Sequence, residues 1–400
     1  MVRDQKSVTI QSRFATKFKS GYPFIFDEAL VEHKTELPEE GALLHLYNAE
    51  DGNFIGTGYH GRQTRGLGWV LTRRQDEAID DAFFERKLKL AFKRRSAFFK
   101  SDETTAFRVF NGEGDGFGGL TIDYFDGYYL LNWFSAGAYS FKSAVLNALK
   151  QHGAKGVYEK KRYQTGEIVE EDDDFVEGER GSFPLVVKEN GIHYAIHLND
   201  GPMVGVFLDQ RDVRKRLRLT EAKDKTVLNT FSYTGAFSVA AALGGAAHTT
   251  SVDLANRSYS KTIEQFSMNG LDYEAHDIIV QDVFDYFTYA KKKGLLFDLV
   301  VLDPPAFARS KKRTFSAKND YTFLLKEAIA LTDKKGSIIA STNVSTLSME
   351  QFKKFVKKAF QESGHSYQIK EEFTLPADFR VTNAYPEGDY LKVLLIEKTT

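Results

Sequence analysis

The sequence predicts an α/β protein in which a Rossmann-like sheet follows two smaller domains. From about residue 195 onward, aliphatic strands alternate with helices of about ten or more residues, which is typical of a parallel, doubly wound sheet. Residues 1–72 contain short alternating stretches broken by glycines instead. The length of 400 residues also favours several domains, since one domain usually has roughly 100 to 200 residues.

The first two predicted domains cover residues 1–72 and 73–190. In the first, the alternating stretches "SVTIQSRF" and "ALLHLYN" are separated by the turn-forming "SGYP" and "AEDGN", which indicates a small β-rich domain. The second begins with a helical period of apolar residues from Ile79 to Phe92. Two apolar runs around the glycine-rich "NGEGDGFGG", the helix "SFKSAVLNALKQHG" and the strand "GVYEK" complete an α+β domain.

The third predicted domain, residues 191–400, carries the Rossmann-like sheet. Its strands are predicted at 226–231, 248–253, 276–281, 297–303 and 336–342. The helices between them are predicted at 235–244, 256–269, 283–292, 319–333 and 348–363. The alternation then ends, because "YQIKEEFTL" and "DYLKVLLIEK" are two strands with no helix between them. They predict a C-terminal antiparallel hairpin.

The composition excludes several classes of protein. Hydrophobic residues make up 42% and charged residues 27% of the chain, and no apolar run approaches the roughly 20 residues of a transmembrane helix. The chain contains no cysteine and opens without a secretory apolar region, so we expect a cytoplasmic protein without membrane partners, thiol nucleophile or cysteine-type zinc site. His193 and His197 lack an evident third ligand, and we predict no metal site.

The turn after the first strand of the sheet predicts a nucleotide-like ligand without phosphates. "VLNTFSYTGAFSVAAAL" reads as a strand, a turn of small residues and an Ala-rich helix, which places Thr230 to Ala236 at the ligand-binding edge of the sheet. Only Gly235 stands in this turn, whereas a dinucleotide fingerprint has three spaced glycines. The same shortage of glycine argues against a nicotinamide dehydrogenase.

Acidic residues close the next three strands. Asp253 can accept both ribose hydroxyls, Asp282 with Val283 can hold an adenine edge, and Asp303 ends the fourth strand. Beside a one-glycine turn, these residues predict a site for S-adenosylmethionine. The alternative is that Asp253 and Asp282 only cap the helices that follow them.

The loop "DPPAF" predicts a rigid clamp for a planar base. Pro304 and Pro305 each hold φ near −65°, so the Asp303 carboxylate and the Phe307 ring are preset at the end of a buried strand. Asp303 can accept hydrogen bonds, and Phe307 can stack on a base extruded from RNA. The alternative is a rigid surface turn with Phe307 in the core.

Seven motifs resemble one family over nearly the whole chain. They are "GYPFIF" (21–26), "FNGEGDGFGGLTIDYF" (110–125), "FLDQRDVRK" (207–215), "LNTFSYTGAFS" (228–238), "SVDLA" (251–255), "LDPPAF" (302–307) and "AYPEGDYLK" (384–392). Together they resemble the bacterial 23S ribosomal RNA methyltransferases of the large-subunit methyltransferase I type, which join a PUA domain, an α+β domain and a Rossmann-like methyltransferase domain. The motifs and this resemblance predict cofactor contacts by Asp209, Gln210, Arg211, Asn229, Phe231, Ser232, Tyr233, Thr234, Gly235, Asp253, Leu254, Asp282, Val283 and Asp303.

One departure from the family bears on the methylated atom. Members that make 5-methylcytosine carry Ser-Cys-Ser where this chain has Ser341, Thr342 and Asn343, and their chemistry needs a thiolate adduct. "STN" and the basic "ARSKKR" (308–313) are more similar to the half of a fused enzyme that makes 7-methylguanine. We therefore favour a nitrogen target, with Asp303, Pro304, Pro305, Phe307 and Asn343 as catalytic residues. A 5-methylcytosine enzyme and a catalytically silent RNA-binding homologue stay open as alternatives.

The resemblance implies RNA, and specifically 23S ribosomal RNA, as the partner of a monomer or homodimer. The basic stretch 85–100 could follow RNA phosphates, or it could be a solvated helix face. Tyr22, Phe24 and Phe26 of the PUA-like domain could face RNA or lie in its core. "EEDDD" (170–174) is expected to form a solvated hairpin tip.

Overall fold

The computed structural model describes residues 3–64, 66–163, 174–201, 203–309 and 313–399. The hairpin tip predicted at 170–174 lies outside these ranges except for Asp174, and so does the middle of "ARSKKR". The chain divides into two compact units. The first contains Met1–Leu185, His197–Val204 and Ala377–Gly388, and the second contains Val186–Ile196, Gly205–Pro376 and Asp389–Thr400. None of the helices in the described ranges has the length and apolarity needed to cross a membrane.

The first unit opens with a mixed sheet in the strand order β1-β3-β4-β5-β2. The strands are β1 (Gln5–Ile10), β2 (Phe24–Ile25), β3 (Leu43–Asn48), β4 (Phe54–Gln63) and β5 (Gly66–Thr72), and helix α1 (Ser12–Lys19) follows β1. β1 pairs with β3 in parallel, and the other neighbours are antiparallel. The β-rich character predicted for this part of the chain is confirmed.

A second sheet of the first unit has the order β10-β9-β8-β7-β6. Its strands are β6 (Ala106–Asn111), β7 (Leu120–Phe125), β8 (Tyr128–Trp133), β9 (Gly156–Lys161) and β10 (Phe175–Gly178). The accompanying helices are α2 (Asp81–Arg94), α3 (Ser96–Phe99), α4 (Ala136–Tyr139) and α5 (Lys142–Lys150). Helix α2 starts where the Asp80 carboxylate accepts a hydrogen bond from the Phe83 amide, and it buries Phe83 and Leu88. The predicted helical period therefore marks a core-facing stripe.

Part of the basic stretch 85–100 serves the fold. Arg95 is 1% exposed, binds both carboxylate oxygens of Asp115 over 2.9 and 2.7 Å, and donates to the Asp378 carbonyl. Arg94 donates to Asp115 as well, over 3.1 Å. Because a buried guanidinium must keep its partners, Arg95 is unsuited to binding phosphate, whereas Arg94 is exposed. The hypothesis that the whole stretch follows RNA is wrong for Arg95 and stays a prediction for the exposed residues of the stretch.

The second unit contains the remaining elements, except that Leu185 belongs to the first unit. Its strands are β11 (Leu185–Glu189), β12 (Ile192–Ile196), β13 (Thr226–Thr230), β14 (His248–Asp253), β15 (Asp277–Val280), β16 (Phe297–Leu302), β17 (Phe307–Arg309), β18 (Thr314–Ser316), β19 (Thr332–Thr342), β20 (Tyr367–Phe373) and β21 (Lys392–Lys398). Its helices are α6 (Arg211–Arg216), α7 (Ala236–Leu243), α8 (Arg257–Met268), α9 (Val283–Lys293), α10 (Ala317–Leu331) and α11 (Met349–Ser363).

The main sheet of the second unit has the order β15-β14-β13-β16-β19-β21-β20. Strands β13 to β16 and β19 are parallel, whereas β21 runs antiparallel to both β19 and β20. The predicted Rossmann-like sheet with a C-terminal antiparallel hairpin is confirmed. The last strand, β21, lies between β19 and β20, so β20 forms the edge of the sheet. The segment Ala377–Gly388, which lies between β20 and β21 in the sequence, belongs to the first unit.

Alternate residues of the central strands pack on opposite faces of this sheet. Leu228, Val300 and Ile338 belong to the core under helices α9, α10 and α11. Val227 and Val301 belong to the core that contains residues of α6 and α7. Both faces are covered, which explains why the strands are continuous aliphatic runs and why ligands are restricted to the strand ends.

Candidate active site

The candidate site lies at the carboxyl edge of the main sheet, where the strand order reverses. β13 pairs with β14 on one side and with β16 on the other, so the loops after β13 and β16 leave the sheet beside each other. In open α/β sheets this switch point is the usual place for a ligand. The predicted turn Phe231–Gly235 and the loop that begins at Asp303 both start here.

The turn after β13 has an unusual backbone. Phe231, Tyr233 and Gly235 have φ values of 54°, 52° and 75°, a left-handed region that non-glycine residues seldom adopt. Gly205 anchors the turn, because its amide donates to the Tyr233 hydroxyl over 3.0 Å and its carbonyl accepts from Thr234 Oγ1 over 2.6 Å. Ser232 donates its amide to Val252 O on β14. Such strained residues cluster at ligand sites, so the turn remains a candidate part of the cofactor-binding site.

Replacing Gly235 with alanine is expected to destabilise the protein by about 1–3 kcal/mol and to weaken S-adenosylhomocysteine binding. Besides the positive φ, a Cβ atom here would lie 2.6 Å from Thr262 Cγ2. Gly294→Ala is the matched control, since Gly294 has a φ of 66° and nothing within 4 Å. Urea unfolding and calorimetry measure the two effects. Equal losses of binding in both variants would contradict a role for the turn.

Asp253 supports the turn rather than a helix. Its Oδ2 accepts from the Tyr233 amide and its Oδ1 from the Ala255 amide, both over 2.8 Å. Helix α8 begins four residues later, behind Asn256, so the helix-cap alternative fails for Asp253. Each carboxylate oxygen keeps a further lone pair for a ribose hydroxyl. The next residue, Leu254, is 52% exposed and offers an apolar surface at the same edge.

Asp282 does cap a helix. Its Oδ1 accepts from the Phe284 amide over 2.9 Å at the start of α9. The simpler alternative is therefore right for this carboxylate, although a second role toward adenine is compatible with its remaining lone pairs. Val283 is 3% exposed and belongs to the core, so only its backbone could meet a ligand.

The side chains of Asn229 and Arg211 are not brought to the open edge. Asn229 is 1% exposed, and its Nδ2 donates to Ser238 Oγ on α7 over 3.0 Å. Its Oδ1 has no partner among the described residues. Arg211 is 3% exposed. Their predicted cofactor contacts stay predictions. In the described part of the chain, no cluster of three acidic or histidine side chains could hold a metal ion.

The "LDQR" segment (208–211) lies beside the loop that begins at Asp303, because Gln210 binds the Asp303 carboxylate. Asp209 accepts a hydrogen bond from the Tyr390 hydroxyl over 2.9 Å. Arg214, one turn later, donates over 2.7 Å to the Phe207 carbonyl and to both Glu189 oxygens. The rings of Phe207 and Tyr233 lie 5.3 Å apart, so the residue before this segment contacts the turn.

Asp303 is the most constrained acid of the site. Its Oδ1 accepts from Gln210 Nε2 over 2.9 Å and from the Ser341 hydroxyl. Burial raises the pKa of Asp303 to about 6, and Asp209 adds to this, while the two hydrogen bonds and Arg214 oppose it. Asp303 is therefore mostly ionised at pH 7 and presents a hydrogen-bond acceptor.

The proline loop leaves its aromatic ring in solvent. Pro304 is buried, Pro305 is exposed and the Phe307 side chain, on β17, is 62% exposed. The alternative that Phe307 belongs to the core is wrong. An exposed ring on the loop that begins at a half-buried carboxylate has the features expected of a stacking surface for a flat heterocycle.

The residues at the end of β19, Ser341, Thr342 and the following Asn343, differ in their exposure to solvent. Thr342, at the position of the family's cysteine, is 0% exposed, and its hydroxyl accepts from the Val344 amide over 3.4 Å. Asn343 is exposed beyond the strand end, and its predicted catalytic role stays a prediction. Ser341 and Tyr321 were not predicted, yet Ser341 binds Asp303 and Tyr321 Oη donates to the Ser341 carbonyl over 2.8 Å.

Comparisons with known proteins identify the family of this chain. A family model described as S-adenosylmethionine-dependent methyltransferase matches residues 108–388. The chain belongs to this family. The predicted enzyme class and the cofactor, S-adenosylmethionine, are confirmed, and the nicotinamide alternative is excluded. A second model, described as PUA-like domain, matches residues 8–73 and confirms the PUA-like fold at the N-terminal end.

Relatives of this methyltransferase cover its whole length. The "Putative ribosomal RNA large subunit methyltransferase YwbD" of Bacillus subtilis is 58% identical over 98% of this chain and 100% of its own. Ribosomal RNA large subunit methyltransferase I of Pseudoalteromonas translucida is 32% identical over 97% and 98%. The crystal structure of SMU.776 in complex with SAH has a TM-score of 0.90, 36% identity and coverage of 98% and 99%. The resemblance inferred from the motifs is confirmed.

The methyltransferase also has a pocket in its first unit. It encloses about 770 Å³ and is lined by Tyr22, Phe24 and Phe26 together with the cations Lys34 and Arg62. Tyr22 is 6% exposed and packs against other rings, so it is mainly a core residue. Phe24 and Phe26 are half-buried and line this pocket.

Proposed function

We propose that this chain transfers the methyl group of S-adenosylmethionine to a nitrogen atom of a base in large-subunit ribosomal RNA, and specifically 23S ribosomal RNA. The observation that carries the proposal is the arrangement around Asp303: a half-buried, ionised carboxylate at the switch point, followed four residues later by an exposed ring on a loop stiffened by two prolines. The names of the relatives point to the same substrate class.

The cofactor would lie along the carboxyl edge of the sheet. The Phe231–Gly235 turn and Asp253 would hold its ribose end, and Asp282 with the Val283 backbone would face the adenine. Gln210 Oε1 is buried and has no hydrogen-bond partner within the described ranges, so it is an acceptor suited to an ammonium group, which supports the fit of the amino-acid end. When bound, S-adenosylmethionine supplies an electrophilic methyl group on its sulfonium.

The acceptor base would leave its stack and dock on the proline loop. Phe307 would stack on the base, Asp303 would accept a hydrogen bond from it, and Asn343 would contact its edge. A nitrogen with a free lone pair attacks the methyl group directly, so the protein needs to supply orientation and exclusion of water. None of these steps requires a nucleophile from the protein.

The residue at the cysteine position argues against 5-methylcytosine. That reaction needs a side chain that attacks C6 of cytosine, and thiolate is the ordinary choice near pH 7. Thr342 has a hydroxyl that is 0% exposed and already accepts a backbone hydrogen bond. A nitrogen target is the chemistry that these residues support.

The first unit would supply RNA recognition. We propose that it comprises a PUA-like domain over 1–72 and an α+β domain over 73–190, with the transferase domain over 191–400. The pocket lined by Phe24 and Phe26 offers ring faces that suit single-stranded RNA, and its charged lining contains two acids, Asp27 and Glu28, beside the cations Lys34 and Arg62.

Mass spectrometry of ribosomal RNA from cells with and without the gene tests this proposal. We expect the deletion to remove 7-methylguanine or another N-methyl base from 23S ribosomal RNA, and a plasmid copy to restore it. Loss of 5-methylcytosine would refute the nitrogen target. Unchanged RNA, with S-adenosylhomocysteine still bound by the pure protein in calorimetry and NADH not bound, would identify a silent homologue.

A further inference from the structure

Asp303 receives both of its hydrogen bonds on one oxygen. Gln210 Nε2 donates to Oδ1 over 2.9 Å, and the Ser341 hydroxyl donates to the same atom. Oδ2 accepts no hydrogen bond from any residue in the described ranges. Oδ1 of the carboxylate is therefore held by two hydrogen bonds, and Oδ2 is available to a ligand.

The side chains of Gln210, Asp303 and Ser341 form a closed triangle of hydrogen bonds. Besides binding Asp303, Gln210 Nε2 donates to Ser341 Oγ over 2.9 Å. Gln210 is 3% exposed and Ser341 is 1% exposed, so water does not compete for these bonds. The opposite amide orientation would place Gln210 Oε1 against the carboxylate, which is electrostatically unfavourable. The triangle thus has one stable arrangement.

The main chain holds Ser341 in place independently of Asp303. Leu302 pairs with Ala340 in the parallel ladder between β16 and β19, so Asp303 and Ser341 leave the two strands side by side. The Tyr321 hydroxyl donates to the Ser341 carbonyl over 2.8 Å from α10, and its ring is 0% exposed. Ser341 is therefore a rigid donor that is present before any ligand arrives.

We propose that Ser341 and Gln210 are positioning residues, which keep Asp303 ionised and direct its Oδ2 at an N–H group of the acceptor base. This inference rests on the proposed function. Because an ionised carboxylate can only accept hydrogen bonds, the acceptor is a nucleobase with an amino or imino N–H on the edge that faces Asp303. Ser341 takes no part in the transfer itself.

The charges around Asp303 predict how pH acts on this arrangement. The groups that face it are Asp209, which favours its protonated form, and Arg214, Ser341 and Gln210, which favour its ionised form. Tyr321 stays neutral because burial raises its pKa well above the ordinary value. Removing the Ser341 hydroxyl therefore raises the pKa of Asp303. Activity that needs the carboxylate falls as pH drops through that pKa.

The test compares Ser341→Ala with Ser341→Thr and with Ser337→Ala, a control serine on the same strand that is 5% exposed. The measurement is kcat/KM between pH 5 and 8.5 on 23S ribosomal RNA from the deletion strain. For Ser341→Ala we expect the acidic limb of the pH profile of kcat/KM to move to higher pH by about one to two units. A shift of this size corresponds to the loss of one hydrogen bond to an ionised group. Ser341→Thr keeps a hydroxyl and is expected to stay near wild type, as is Ser337→Ala.

A second readout does not depend on RNA. In protein labelled with [γ-13C]aspartate, NMR titration follows the Asp303 carboxyl, assigned with Asp303→Asn, and we expect the same upward move in Ser341→Ala. If wild type methylates RNA but neither the limb nor the NMR titration moves in Ser341→Ala, the inference is wrong. If the NMR titration moves while wild type methylates no ribosomal RNA, the triangle stands and the proposed function fails.

Discussion

Asp303→Asn is expected to lower kcat/KM for RNA methylation by about 100- to 1,000-fold, the usual effect of losing one pre-organised polar group at a reacting centre. Asparagine has the size of aspartate but replaces one oxygen with an amide nitrogen. Gln210 and Ser341 both donate to the Oδ1 position, so they hold the amide oxygen there. The amide NH2 then occupies the Oδ2 position and presents a donor where the base needs an acceptor.

Single-turnover methylation of 23S ribosomal RNA from the deletion strain measures this effect. Calorimetry with S-adenosylhomocysteine and a melting curve show whether the variant still folds and binds the cofactor. Asp277→Asn is a suitable control, because Asp277 is exposed at the start of β15, at the opposite edge of the sheet. Turnover of Asp303→Asn within threefold of wild type would refute the role assigned to Asp303.

Arg214→Met is expected to reduce the free energy of unfolding by about 3–5 kcal/mol, since it leaves a buried charge without its partner. Arg214 and Glu189 have side chains that are 2% and 1% exposed, and two hydrogen bonds of 2.7 Å join them. The Phe207 carbonyl also loses the shorter of its two hydrogen bonds and keeps the one from the Gln210 amide, and this residue precedes the "LDQR" segment. Cofactor affinity should therefore fall together with stability.

Urea unfolding of four proteins separates the pair from its surroundings. The double variant Glu189→Met/Arg214→Met removes both charges and is expected to regain most of the stability lost in Arg214→Met. Lys215→Met changes the exposed neighbour and should alter stability by less than about 0.5 kcal/mol. A double variant as unstable as Arg214→Met would show that packing, rather than the stranded charge, explains the loss.

The secondary structure of the transferase sheet was largely predictable. The strand predicted at 248–253 matches β14 residue for residue, and the helix predicted at 283–292 ends one residue before α9 does. Buried parallel strands are continuous aliphatic runs with helices between them, so their pattern is strong. β19 starts at Thr332 rather than 336, because its first residues are polar and partly exposed and carry no apolar signal.

The site was predictable only as a set of strand ends. Asp303 and Asp253 lie at the edge, as the alternation of strands and helices indicated. The burial of Asn229 and the capping role of Asp282 depend on which face each side chain turns toward, and an acid after a strand suits both a cap and a ligand contact. Ser341 could have been found from the register of β16 and β19, but that register exists only once the strands pair.

By itself, the sequence determined the class of chemistry: a chain without cysteine, with one glycine in its first turn and acids after successive strands, is suited to an adenosine cofactor without phosphates and to an acceptor that needs no thiol. Only the tertiary structure decided which groups cooperate. Gln210, Asp303 and Ser341 lie far apart along the chain, and their hydrogen bonds form because parallel pairing and burial bring them into one dry cluster. Local sequence patterns indicate that a residue lies at the end of a particular strand. The packing of the whole domain determines which side chains on other strands become its hydrogen-bond partners.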